Sequence, residues 1–273
     1  MEILIGCIIG LVLGLTGAGG SIFAVPLLTF GLGLPPQEAI GISLGAVGAS
    51  AVFGVLTQLR SKNILWLPAL VFAVIGALIS PLGVYLNSLL PPTIIMLAFS
   101  ILTIIIAVRL WRQSRLKPEQ TNWVRSSVKT NDEASITLCK MNDNAEFTLG
   151  RRCILGMSYS AGLTGLLSGL FGVGGGFLIV PSLLFLTNIK IQQAIATSLV
   201  IISVVSLSGF ASFISLGSSI DFSLLSQIIF GGVLGMTTGF FLSQYIAGPV
   251  LQKIFVLLML AMALITITLS LFI

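Results

Sequence analysis

Apolar residues fill most of this chain, in stretches at about 3–30, 39–59, 64–88, 92–111, 154–187, 194–216, 222–246 and 250–273. Each matches or exceeds the ~20 residues with which an α-helix crosses a ~30 Å hydrocarbon core, and none has the short alternation of a barrel strand. They predict an all-α polytopic membrane protein with about eight membrane segments. Polar residues gather in one stretch, 113–151, rich in Asn, Ser, Lys, Asp and Glu, whose composition cannot bury a core of its own. The organisation expected is a first membrane repeat over 1–112, a polar cytoplasmic linker over 113–151 and a second membrane repeat over 152–273.

The two halves carry the same punctuation. Gly14-Leu15-Thr16-Gly17-Ala18-Gly19-Gly20-Ser21, followed by Val25-Pro26, matches Gly169-Leu170-Phe171-Gly172-Val173-Gly174-Gly175-Gly176, followed by Val180-Pro181, at an offset of 155. The same offset lays Gln37 to Leu44 on Gln192 to Leu199 and Gly54 on Gly209; an offset of 156 then matches Ile64 to Ile220, Gly76 to Gly232 and Gly83 to Gly239. Matches in one order over so long a span indicate duplication into two homologous four-segment repeats. Duplicated halves of similar hydropathy are typical of secondary transporters, whose substrate site lies where the repeats meet near the midplane.

Hydropathy leaves two topologies open. The first segment of each repeat is either one broken span or a re-entrant hairpin, since the 28 residues of 3–30 make one tilted crossing or two half-helices of ~18 Å each. If it crosses, the repeats are parallel and both termini are cytoplasmic, with Lys190 and Lys253 outside. If it re-enters, the repeats are inverted, both termini face out, and every Lys and Arg faces the cytoplasm, which the positive-inside rule slightly favours. The linker is cytoplasmic in both.

Composition agrees with a membrane protein: 56% hydrophobic and 8% charged residues, against about 25% charged in soluble domains. The formal charge of +5 does not imply nucleic acid, because most basic residues lie between Arg109 and Arg152, where a topology signal is expected. The N-terminus has no basic region and no small-residue cleavage site, so the first segment is expected to stay in the protein. The chain has no His, and Cys7, Cys139 and Cys153 have no CxxC spacing, so no His-containing metal site, no cofactor and no disulfide framework are expected. An enzyme is the least favoured class, because the apolar segments hold no His, no acid pair and no activated nucleophile.

Several glycines within seven residues, each costing roughly 1 kcal/mol against alanine, should break the helix at 16–21 and 171–176. Broken backbone in hydrocarbon is tolerated only inside protein or beside a polar cavity, so the two clusters are expected to face a central site. Glycine reaches φ > 0 freely, which lets successive N–H groups converge on an anion, and the following half-helix adds the positive end of its dipole. A small anion could then be held without Lys or Arg. Thr16, Ser21, Ser43, Thr197 and Ser198 offer hydroxyl donors. The competing explanations are structural: small-xxx-small spacing packs membrane helices, Pro26 and Pro181 kink them, and a Ser in such a helix often bonds its own i−4 carbonyl. Glu38 and Asp221 sit at segment ends as solvated acids, and Trp66, Trp111 and Tyr85 as interfacial anchors.

The paired clusters, the duplication and the central linker resemble the TauE/SafE family of sulfite exporters and related anion permeases, also called the toluene sulfonate uptake permease family. The resemblance covers both halves but not the linker. It implies transport of a sulfur oxyanion or small organosulfur anion, of the sulfite, sulfonate or sulfoacetate class, across a bacterial cytoplasmic membrane. Carried over residue by residue, it places the amides of Gly17, Gly19, Gly20, Gly172, Gly174 and Gly175 at the substrate site. Ala18 and Ser21 depart from the glycine run, Phe171 stands where the first copy has Thr16, and Gly176 opens the second half-helix. The expected partners are a small anionic substrate and the lipid bilayer, with no nucleic acid; a homo-oligomer is compatible with the sequence. A passive anion channel and a non-transporting membrane scaffold are the alternatives.

Overall fold

The computed structural model of the chain describes residues 1–17, 20–59, 64–116, 151–187, 189, 191–217, 221–243, 256–257, 259–266 and 268. Ala18 and Gly19 of the first cluster, and the linker from 117 to 150, lie outside the described residues. Regular structure among the described residues is helical: α1 (Glu2–Thr16), α2 (Gly20–Leu32), α3 (Pro36–Gln58), α4 (Trp66–Leu89), α5 (Pro92–Leu116), α6 (Arg151–Phe171), α7 (Gly176–Leu186), α8 (Ile191–Ser215) and α9 (Phe222–Ser243). Further helical residues follow at 256–257 and 259–266. Five stretches are long and apolar enough to cross a membrane: Pro36–Gln58, Trp66–Leu89, Cys153–Phe171, Gln192–Ser215 and Phe222–Leu242. The chain is a multi-pass helical membrane protein.

Local chemistry sets the helix ends. The Pro35-Pro36 pair starts α3, since proline at the first helical positions loses no intrahelical hydrogen bond and arrives with helical φ. Asp221 caps α9, its carboxylate accepting the N–H groups of Ser223 at 2.8 Å and Leu224 at 3.3 Å. This capping accounts for an acid at the end of an apolar segment without any proton-relay role.

The helices are turned inside out relative to those of a soluble protein. Along α4 the buried positions are mostly small or polar, among them Ala69, Ala73, Gly76, Ser80, Gly83 and Asn87, while Leu70, Val74, Leu78, Leu82 and Leu89 are exposed. Leucine gains nothing by leaving lipid, so helix association rests on close backbone approach and hydrogen bonds, and small residues are what permit that approach. Trp66 and Tyr85 are exposed toward the two ends of α4.

Three packings organise the molecule. The first joins α1 to α9, the most extensively packed pair. Gly6, Gly10 and Gly14 lie against the backbone of Ile228, Gly232 and Met236 in turn, and Gly231, Gly235 and Gly239 lie against Ile3, Cys7 and Leu11, so the two helices run parallel. In the second, α4 meets α6, where Gly165 and Gly169 lie against the backbone of Gly76 and Ser80, again in parallel. The third packing crosses α3 over α8: Gly41, Gly45, Gly48 and Gly54 meet Phe213, Phe210, Leu207 and Leu199, a descending series that makes the pair antiparallel. The window of α3 is 72% buried and that of α8 61%, against 39% for each of the other three spans, which puts this crossing at the centre.

Both glycine clusters break their helices, and in both the chain doubles back. A continuous helix would carry Gly20 ~16 Å along the axis from Ile9. Instead, a Cβ at Gly20 would lie 2.5 Å from the Ile9 carbonyl oxygen, and one at Gly31 would lie 3.0 Å from Ile5 Cδ1, so α2 returns along α1. In the second half a Cβ at Gly175 would lie 3.0 Å from the carbonyl oxygen of Thr164, also eleven residues earlier.

Candidate functional site

α1 ends at Thr16 and α2 starts at Gly20, while α6 ends at Phe171 and α7 starts at Gly176, in line with the breaks expected at 16–21 and 171–176. Gly17 adopts φ 70° and ends α1 by donating its N–H to Leu13 O at 2.7 Å; Gly172, with φ 68°, donates to Ser168 O at 2.9 Å. Gly174 and Gly175 follow at φ 64° and 67°, so a left-handed backbone recurs through the second break. An L side chain at these positions would be strained, which is why glycine is used here.

Each break rests on a helix of the other half. Gly172 lies against Ile40 on α3, and Gly17 lies against Ile195 on α8. The hydroxyl of Ser43 donates to Gly172 O at 2.7 Å. Ser198 mirrors it, its one hydrogen shared between Gly17 O at 3.2 Å and its own-turn Ile195 O at 2.8 Å. Nearby, Asn87 Nδ2 donates to Leu170 O at 2.7 Å, satisfying a carbonyl that the end of α6 leaves without a helical partner. Both matched serines therefore hold the broken backbone, and in this conformation their hydrogens are spent on carbonyls.

The remaining expected site residues are distributed around this frame. Thr16 ends α1 and donates to Val12 O at 2.7 Å. Gly20 and Ser21 form the buried first turn of α2, and Gly176 opens α7 with Gly175 as its N-cap. Thr197 Oγ1 accepts the N–H of Leu65 at 3.1 Å, joining α8 to the start of α4. Phe171 ends α6 and packs on Phe99 of α5 with ring centroids 5.8 Å apart. Phe171, Ile40 and Phe99 line a narrow apolar crevice with space of about 10 Å³, bordered also by Pro26 and Ile95.

Sequence reasoning passed over three other hydroxyls. Ser80 on α4, Ser168 on α6 and Ser206 on α8 are each fully buried, and their oxygens have no hydrogen-bond partner. Ser206 Oγ lies 2.7 Å from where a Cβ of Gly174 would stand, and Ser168 Cβ lies 3.4 Å from that of Gly175. Isolated serines in apolar helices carry no spacing signal; only the fold brings these to the break. Among the described residues no group of metal-ligating side chains comes together. Cys7 is a free thiol, whereas Cys153 is disulfide-bonded, which corrects the expectation drawn from the cysteine spacing.

Comparison with known proteins bears on this arrangement over almost its whole length. A family model described as sulfite exporter TauE/SafE matches residues 2–266. A probable membrane transporter protein of Xylella fastidiosa strain 9a5c is 30% identical over 261 residues, covering 94% of this chain and 90% of that one. The probable membrane transporter protein YdhB of Bacillus subtilis is 26% identical over 243 residues, 87% of each chain. A counterpart in Methanocaldococcus jannaschii, MJ0441, is 25% identical over 219 residues, 78% of this chain and 71% of that one. No solved structure matches.

Proposed function

The chain belongs to the TauE/SafE family of membrane transporters, and from that premise we propose that it is a secondary carrier for a small sulfur oxyanion or organosulfur anion. The sulfite, sulfonate or sulfoacetate class is moved across a bacterial cytoplasmic membrane by alternating access around the two helix breaks. The observation that carries this reading is the reciprocal clamp: Ser43 of one half holds Gly172 O of the other, and Ser198 holds Gly17 O. A helix broken at membrane depth and held from the opposite half is the construction by which carriers present main-chain dipoles to a midplane substrate.

Two inverted repeats, each a folded-back hairpin followed by three crossings, account for the packing. With offsets of 155 and 156, the contact of Gly10 with Gly232 becomes that of Gly165 with Gly76, and Gly239 with Leu11 becomes Gly83 with Leu166. Inversion requires α3 and α8 to be antiparallel, whereas parallel repeats require them to be parallel; the descending series of contacts supports inversion. The eight segments are then two hairpins and six crossings.

Among the described residues around the breaks there is no Lys, Arg, Asp or Glu, so charge compensation falls to main-chain N–H groups and hydroxyls.

The test is transport by the purified full-length protein in proteoliposomes, with labelled sulfite and methanesulfonate. A carrier gives saturable flux stimulated by substrate on the far side, and Gly174→Leu abolishes it while the protein still inserts. Conductance without saturation or counterflow would identify a channel instead, and undiminished flux in Gly174→Leu would remove the break from the site.

A further inference from the structure

The two breaks are built alike but furnished differently. Around the second stand Ser168, Ser206 and Ser80, from three different helices. Ser206 Oγ and Ser168 Cβ approach Gly174 and Gly175, while Ser80 Oγ lies 2.7 Å from the Cβ position of Gly209, one helical turn beyond Ser206. At the matching positions around the first break, offset by 155 or 156, the residues are Leu13, Ala51 and Met236. Leu13 and Met236 pack with Leu199 and partly buried Val55 into a small apolar cluster. The correspondence reaches single contacts: the methyl of Met236 sits against Gly54 where the hydroxyl of Ser80 sits against Gly209. Three unpaired hydroxyls thus face the second break, where the matching positions around the first are hydrocarbon; the hydroxyls of Thr16 and Ser21 stand at the first break itself.

The three hydroxyls stand apart from their neighbours. Most serines and threonines in these helices discharge their hydrogen on a backbone carbonyl, as Ser203 does on Val200 O, Ser100 on Met96 O and Thr103 on Phe99 O. That is the ordinary fate of a hydroxyl in an apolar helix. Ser80, Ser168 and Ser206 are fully buried without doing so; the Thr29 hydroxyl is also unpaired, but it lies nine residues into α2, away from the break. An unpaired buried hydroxyl costs stability, so three beside one break call for a functional explanation.

We infer that the second break grips the anion, with Ser80, Ser168 and Ser206 as its side-chain donors beside the N-terminus of α7, and that the first break, where hydrocarbon replaces these three hydroxyls, does not. This rests on the transport reading above. The acceptor is an oxyanion head of the –SO₃⁻ type, whose three oxygens suit hydroxyl and main-chain donors arriving from several directions. Neutral donors alone favour a singly charged head, because the cost of desolvating an ion grows with the square of its charge and no basic side chain is at hand to offset it.

The experiment is binding of methanesulfonate and sulfate to the purified full-length protein, followed by ligand-induced thermal shift, in wild type, Ser168→Ala, Ser206→Ala and Met236→Leu. Each serine substitution is expected to weaken methanesulfonate binding by about tenfold or more, the range for losing a hydrogen bond to a charged group. Without ligand, both serine variants should be at least as thermostable as wild type, since an unpaired hydroxyl has been removed; a purely structural role predicts the opposite. Met236→Leu should bind as wild type does, and sulfate should bind about tenfold more weakly than methanesulfonate. Wild-type affinity in both serine variants, or their failure to fold, overturns the assignment. Equal binding of the two anions overturns the charge selectivity. Failure of the wild type to bind either probe would overturn the transport reading along with this one, whereas binding that survives the serine substitutions overturns this one alone.

Discussion

Gly172 must be glycine for two separate reasons. Its φ of 68° costs an L residue about 1–2 kcal/mol, and a Cβ there would stand 2.8 Å from the Cα of Ile40. Gly172→Ala is therefore expected to lose about 2 kcal/mol or more, read as a lower thermal midpoint of the purified protein. Ser43→Ala leaves Gly172 O without its donor and should cost about 1–2 kcal/mol in the same measurement. Ser206→Ala should cost nothing. The two serines thus separate in sign: one has its hydrogen committed to the fold, while the other holds it in reserve.

The pairing of α1 with α9 depends on a glycine face on each helix. A Cβ at Gly14 would lie 2.5 Å from Met236 O, and one at Gly10 would strike the carbonyl of Gly232, so the obstacle is backbone and cannot rotate away. Gly10→Leu should destabilise by about 3 kcal/mol or more and scatter the monodisperse size-exclusion peak, whereas lipid-facing Leu78→Ala should leave the peak unchanged. Much of this was legible in the sequence, because glycines at three- and four-residue spacing and their recurrence at a fixed offset are covalent facts. The break positions were legible for the same reason. The course of the chain after each break was not: residues 3–30 are long enough to cross or to return, and only the contact of Gly20 with Ile9 distinguishes the two. Nor were Ser80, Ser168 and Ser206, since a serine's role depends on whether its neighbours leave it an acceptor.

The proposed inverted arrangement predicts where every charge lies. If both hairpins return to their starting side and three crossings follow each, Arg60, Lys62, the linker, Lys190 and Lys253 all fall on one side, with Glu2, Glu38 and Asp221 on the other. All 13 basic residues are then cytoplasmic, a distribution that parallel repeats cannot give and that the positive-inside rule favours. The proposed carrier mechanism draws on this inversion, because inverted halves can exchange conformations to open the same site first to one side and then to the other. The decisive measurement is labelling of single cysteines at positions 2 and 130, in a variant lacking Cys7, Cys139 and Cys153, with a membrane-impermeant maleimide on intact cells. Inverted repeats predict that position 2 is labelled from outside and position 130 only after permeabilisation; protection of both until the membrane is opened would contradict the account.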